Sequence, residues 1–339
     1  MQALLLILLM NLLYAGAPTF MKLAARELDP FQIVYLRHTL AALIFIPILL
    51  FRKDFRLQRN DFLMILFCAF IAFTLASLLQ IVGIRMSQAT DGTFIASMEP
   101  VATIAMAVLF LGEKLTRKMK MGLILACIGF VILSYQTSDF SGATPHRWIG
   151  NLLFLLAVLG EAMFPILLKP LLSRYSPCVV AFYCLLCASI YMLPFQGLEM
   201  WQQLPTRSLA TLGSVAYLGL GCSFLACFIW LSSLQYFSVS LLALSWFSQP
   251  LFGCLFALIL LKEPLTSNTL AGGVLILLAL ALLKQKEAKQ EKGVTSVAVR
   301  YAPSVVKAVI RRKRKIQSHP LALHFPVRRI QHHPHHAIH

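Results

Sequence analysis

Charge is scarce in this sequence, and acid is scarcer still. Only 13% of the 339 residues are charged, and 13 Asp and Glu face 30 Lys and Arg. So little charge beside 59% hydrophobic residues excludes a water-soluble globular domain. Histidine is nearly missing from the body of the chain, since seven of the nine lie at or beyond His319 and only His38 and His146 remain. No HExxH and no Ser/His/Asp arrangement occurs, so the clustered base, nucleophile or metal ligands that a membrane-embedded enzyme needs are absent. No enzyme activity, metal or cofactor is expected. The connections between apolar runs are also too short for a soluble catalytic domain. The eight cysteines (Cys68, Cys127, Cys178, Cys184, Cys187, Cys222, Cys227, Cys254) fall within or at the edge of those runs. Cys184 and Cys187 form a CxxC with no His or carboxylate nearby, so they read as packing residues rather than a disulfide framework or zinc site.

Apolar runs, by contrast, are plentiful. Stretches of roughly 17–25 residues, each long enough to cross a bilayer core of about 30 Å, cover about 2–22, 31–51, 62–84, 89–111, 118–135, 148–169, 176–197, 209–232, 238–261 and 268–284. The expected fold class is an all-α integral membrane protein with ten transmembrane helices. The first run resembles a signal peptide, but it lacks a basic leader and a clean cleavage site, and it is kept as a span.

The chain also says nearly the same thing twice. A shift of 147 residues lays Pro18, Lys22, Pro30, Ala41 and Pro47 onto Pro165, Lys169, Pro177, Ala188 and Pro194. A shift of 150 lays Pro100, Ala107, Leu111, Glu113, Leu115, Thr116 and Gly122 onto Pro250, Ala257, Leu261, Glu263, Leu265, Thr266 and Gly272. Internal repeats in an apolar chain are how secondary transporters are commonly built. The expected units are 1–136, 148–285 and a basic, His-rich tail, 286–339. Five helices per copy is odd, so the second copy enters the membrane upside down. Its LKEPLTSNTL has lost most of the positive charge of LGEKLTRKMK, as inversion requires. Basic connections at 52–61 and 112–120 place both termini in the cytoplasm by the positive-inside rule. The tail holds RRKRK at 311–315 and reads as a solvated, disordered segment near anionic headgroups rather than a nucleic-acid contact.

Polar groups inside hydrocarbon are costly and are therefore functional candidates. Glu99 lies directly before Pro100, and Gln249 occupies the matched place before Pro250. Glu161 sits one turn before Pro165, and its repeat mate Tyr14 sits one turn before Pro18. The four prolines read as kinks with a gating role, because each removes an intrahelical hydrogen bond. Asn11, Tyr14 and Pro18 share a helical face. Arg37 either snorkels to the interface or faces inward as a counter-ion. Gln80 and Trp230 match at 150 residues, and with Trp246 they complete the expected substrate-binding set. Glu113 and Glu263 read as structural, with Thr116 and Thr266 as caps. Gly122, Gly129, Gly272 and Gly273 read as close-packing faces between copies or protomers.

These phrases resemble the drug/metabolite transporter superfamily, specifically its EamA-like permeases. The resemblance rests on LGEKLT (111–116), LKEPLT (261–266), DPFQIVYLRHTLAALIFIP (29–47) and QIVGIRMSQAT (80–90). It implies a bacterial inner-membrane carrier of small metabolites that works by alternating access around a central cavity. The second copy departs at Lys262, where the first has Gly112. With Glu99 and Glu161 inside, the expected substrate is cationic or zwitterionic, amino-acid-like or nucleoside-like. Protons or an exchanged counter-substrate are possible coupling partners, and the chain is expected to act as a monomer or homodimer. A flippase for a lipid-linked sugar is the alternative function.

Overall fold

A computed structural model describes residues 2–50, 57–111, 117–135, 146–168, 170–235, 245–279 and 281. The expected tail, 286–339, and the expected roles of Glu113 and Thr116 lie outside these residues. The described residues are helical, with no strand among them. In chain order they form α1 (Gln2–Ala24), α2 (Pro30–Leu50), α3 (Arg59–Cys68), α4 (Ala76–Arg85), α5 (Ala89–Ala96), α6 (Glu99–Leu111) and α7 (Arg117–Ser134). There follow α8 (Arg147–Glu161), α9 (Met163–Leu168), α10 (Pro177–Met192), α11 (Leu198–Gln203), α12 (Leu209–Ala216) and α13 (Cys227–Leu234). The helices Gln249–Phe256 and Ser267–Ala279 complete the order.

Six helical stretches are long and apolar enough to cross a membrane: Leu5–Ala24, Pro30–Leu50, Arg59–Arg85, Arg147–Pro165, Pro177–Phe195 and Leu209–Leu234. Lys120–Ser134, Gln249–Leu261 and Ser267–Ala279 are shorter apolar helices. The surface is what a membrane requires, with residues such as Leu50, Leu251 and Leu209 exposed at 80%, 74% and 88%. Exposed leucines of that kind suit lipid, and a helix suits it too, because its backbone groups are satisfied internally.

Local sequence explains where helices start. Asp29 opens α2 by accepting the Phe31 N–H at 2.9 Å, while its own N–H donates to the Gln32 side chain at 3.1 Å. That reciprocal exchange is a capping box. Ser208 caps α12 through the Thr211 N–H, and Thr266 caps Ser267–Ala279 through the Thr269 N–H.

Among the described residues, three helical stretches contain π-helical turns, the shortest of them Ala257–Leu261. Between α3 and α4 the chain winds as a π-helix over Ala69–Leu75, and between α12 and α13 over Tyr217–Ala226. Shifting the first segment by 150 residues places it inside the second. Such wider turns are rare and concentrate at functional sites.

The expected proline kinks take a different form. The run 89–111 does not bend smoothly. It breaks at Ser97 and Met98, and α6 begins at Glu99. The helix before Pro165 breaks at Ala162, and Trp246–Ser248 forms a 3-10 turn ahead of Pro250. A proline disfavours helical backbone in the residue before it and clashes with the preceding turn, so the ladder opens just upstream. Pro18 is the exception and lies within unbroken α1.

Glycines bring helices into backbone contact inside the chain. A Cβ on Gly129 would stand 2.8 Å from the Gly272 carbonyl oxygen, and one on Gly83 would stand 2.6 Å from that of Gly150. The close-packing face at Gly129 and Gly272 therefore joins α7 to Ser267–Ala279 within one chain. Lys262 closes the helix Gln249–Leu261 with φ 55°, a left-handed conformation that favours glycine. The first copy carries Gly112 at the matched place.

Candidate functional site

The helix breaks and the π-helical segments Ala69–Leu75 and Tyr217–Ala226 surround one cavity. About 120 Å³ of it is open to the centres of water-sized molecules, several times the roughly 10–15 Å³ that one water needs. Of the nine residues expected to bind substrate, eight line it: Tyr14, Arg37, Gln80, Glu99, Glu161, Trp230, Trp246 and Gln249. Pro18 lines it as well, whereas Pro100, Pro165 and Pro250 are not among the lining residues. Asn11 stands behind the wall instead. It is fully buried and donates to Ile7 O at 2.9 Å and to Ser245 Oγ at 2.8 Å, and it accepts from Gln249 Nε2 at 3.2 Å. Its contribution is to hold Gln249 and the start of that helix.

The lining follows the repeat. Ala72, Phe73, Ser77 and Gln80 lie on one wall, and the residues 150 positions later, Cys222, Ser223, Cys227 and Trp230, lie on another. Ala96 pairs with Trp246 and Glu99 with Gln249 at the same shift; Tyr14 pairs with Glu161 and Ala17 with Phe164 at 147. Eight matched pairs thus supply 16 of the 21 described lining residues. Arg37 and His38 break the pattern, because their mates Cys184 and Leu185 are buried elsewhere in the core.

The charged groups Arg37 and Glu161 are positioned by neutral partners and not by ion pairs with each other. Gln80 Nε2 donates to Glu161 Oε2 at 2.8 Å, and Arg37 Nε donates to Ser223 Oγ at 2.9 Å. Arg37 is 7% exposed and points inward rather than snorkelling. The three ion pairs among the described residues involve none of Arg37, Glu99 or Glu161. Trp246 lies 6.2 Å from Tyr14 and 5.5 Å from Trp230, ring centre to ring centre, so three aromatic rings form a continuous wall. Such a wall is attractive to a cation.

A second polar cluster escaped the sequence reading. Asp91, in α5, is fully buried and accepts from Arg147 Nε at 2.6 Å and Nη2 at 2.7 Å. Asn151 and Thr269 also donate to it, at 3.2 and 3.0 Å, and Ser87 joins Asn151 and Asp91. Lys22 and Glu263 pair alongside at 2.6 Å, and Glu263 accepts the N–H groups of Ala89 and Thr90 at the start of α5. The expected structural role of Glu263 is thus a cap on a different helix plus an ion pair. An aspartate inside the apolar run 89–111 was the available signal; its partner 56 residues away gave none. At the opposite ends of these helices, Asp61 holds Arg174 Nη1 at 3.0 Å and Tyr175 OH at 2.7 Å.

No group of three or more metal-ligating side chains occurs among the described residues. The cavity offers charge, aromatic faces and amide groups for recognition.

Comparison with known proteins gives a family for the chain. The model of the EamA-like transporter family matches residues 1–135 and 148–284. An uncharacterized transporter of Archaeoglobus fulgidus is 25% identical over 285 residues, which span 84% of this chain and 97% of that protein. The S-adenosylmethionine/S-adenosylhomocysteine transporter of Chlamydia muridarum is 24% identical over 297 residues, 85% of this chain and 93% of that one. A probable terminal-alkyne amino-acid exporter of Streptantibioticus cattleyicolor is 25% identical over 198 residues, 58% and 65% of the two chains. A crystal structure superposes with a TM-score of 0.58 at 17% identity, covering 86% of this chain and 99% of that one, which shows a shared fold.

Proposed function

The chain belongs to the EamA-like transporter family, and from that premise we propose that it carries a small cationic or zwitterionic metabolite across the bacterial cytoplasmic membrane by alternating access. The observation that carries this function is the matched lining, in which equivalent positions of two sequence copies meet around one cavity. A cavity at the interface of two repeats, built where helices are broken, is a substrate site that alternating motion can expose to either side.

In this scheme the six long helices, the three shorter apolar ones and the broken pair α5–α6 are ten crossings, five per copy, with the second copy inverted. Both termini are cytoplasmic. Lys22 and Arg147 fall on the other side, each in an ion pair, with Glu263 and Asp91 respectively. The Gly129–Gly272 face is consumed within the chain, which favours a carrier that works as a single copy. S-adenosylmethionine and amino acids, for which two relatives are named, carry both amino and carboxyl groups, in keeping with the two carboxylates and the arginine here. Glu99, Glu161, Arg37 and the aromatic wall make the contacts, and the breaks before Pro100, Pro165 and Pro250 allow the half-helices to move.

The test is thermal unfolding of the detergent-purified protein with amino acids, nucleosides, S-adenosylmethionine, polyamines and sugar nucleotides, wild type beside Glu99→Gln. A ligand at 100 times its dissociation constant should stabilise by about 2.7 kcal/mol. A ligand whose effect disappears in Glu99→Gln supports the central site. Silence across the panel from a well-folded protein removes it.

A further inference from the structure

A site that buries opposite charges without joining them is made for a ligand that carries both. In the cavity, Arg37 Nη1, Trp246 Nε1 and Glu99 Oε2 are each shut off from solvent and have no hydrogen-bond partner. Two of these groups are donors, and the third is a carboxylate oxygen that accepts. Leaving all three unmet is costly in a buried site. A simple organic cation answers Glu99 and abandons the two donors, with a guanidinium left facing its positive charge. A simple anion does the reverse.

The donor side is fixed in place. Ser223 holds Arg37 Nε at 2.9 Å, which turns the planar guanidinium so that Nη1 is the free arm. A guanidinium is well matched to a carboxylate, which it can meet through parallel N–H groups. The second copy has Cys184 at the position matched to Arg37, so the positive charge stands on one wall only. The indole of Trp246 belongs to the aromatic wall that continues through Tyr14 and Trp230. We infer that the ligand is a zwitterion whose ammonium group meets Glu99 and whose carboxylate meets Arg37 and the Trp246 N–H. Arg37 is then the residue that separates an amino acid from its decarboxylated amine, and Ser223 is the positioning residue for Arg37. This rests on the substrate cavity proposed above, and it goes beyond that proposal by excluding plain cations.

The experiment pairs each amino acid with the amine left by removing its carboxylate: phenylalanine with phenethylamine, arginine with agmatine, ornithine with putrescine. Binding of each is measured by thermal shift and titration calorimetry on the full-length protein in detergent. In the wild type, at least one acid should bind about tenfold or more above its amine, the scale of a charge-assisted hydrogen bond. Arg37→Gln should erase that ratio while the amine still binds, which also shows that the variant folds. Arg37→Lys should restore part of it. Ser223→Ala should narrow the ratio and Ser223→Thr should recover it, a selectivity readout that a merely structural serine does not move. Amines that bind wild type as well as their acids overturn the inference and leave a cation carrier standing. Equal loss of both partners in Arg37→Gln overturns it too. Wild type that binds neither member of any pair, yet is stabilised in a Glu99-dependent way by a polyamine or another compound without a carboxylate, also sinks the zwitterion and spares the cavity.

Discussion

Arg147 grips Asp91 with two hydrogen bonds of 2.6 and 2.7 Å, one to each carboxylate oxygen, in a place where the aspartate has no exposed surface. The arginine begins α8 and the aspartate lies in the first turn of α5, so the pair ties the two sequence copies together at one end of the helices.

Asp91→Asn should cost about 3–5 kcal/mol, because it leaves Arg147 buried without a counter-charge. Thermal unfolding in detergent measures this. The double variant Asp91→Leu with Arg147→Met should lie closer to wild type than Asp91→Asn does, since no orphaned charge remains. A double variant less stable than the single would refute the account.

Gly272→Leu should destabilise by about 2 kcal/mol or more, the scale of an overpacked contact. A Cβ there would stand 2.5 Å from the Gly129 carbonyl oxygen and 2.6 Å from Leu133 N, and backbone cannot move aside cheaply. Equal melting temperatures for variant and wild type would show that α7 and Ser267–Ala279 do not pack this closely.

Lys262→Gly should stabilise by about 0.5–1 kcal/mol, by relieving a left-handed lysine at some cost in unfolded-chain entropy. Lys262 is exposed, so little packing is lost. A lower melting temperature would mean the lysine has an unseen task.

Glu27 lies between α1 and α2, outside the spanning segments, and its carboxylate accepts the Ser208 N–H at 3.0 Å. The Ser208 hydrogen bonds hold its pKa below the usual carboxylate range. A group whose folded pKa is depressed contributes stability above its unfolded pKa, near 4.3 by the ordinary value, and loses it as pH falls through the folded value. Melting temperature should therefore fall on acidification less steeply in Glu27→Gln than in wild type. Superimposable acid limbs would rule the link out.

Much of the cavity was visible in the sequence, and for a physical reason. A carboxylate beside a proline in an apolar run, as at Glu99, is expensive enough to stand out on its own, and its mate Gln249 follows from the repeat. Asn11 looked similar, but its amide is spent on Ile7, Ser245 and Gln249, and hydrogen-bond saturation cannot be read from a one-dimensional pattern. Arg37 was undecided between the interface and the interior, because helical phase fixes neither depth nor rotamer. The Asp91–Arg147 pair was missed because its partners come from different helices, and Arg147 looked like an ordinary loop cation. Lys262 was noted as a departure from Gly112, and its left-handed backbone explains why glycine belongs there.

The paired π-helical segments carry one more consequence. A π-helix places more residues in each turn than an α-helix does, so each of these stretches holds surplus chain relative to an α-helical path over the same rise. Sequence length at 69–75 and 217–226 is therefore negotiable in a way that it is not in the α-helical parts of the same spans. Excision of a single residue there can be absorbed by rewinding to α, with Cys68 and Gln80 kept in phase, whereas the same excision two turns away would rotate everything beyond it by about 100°.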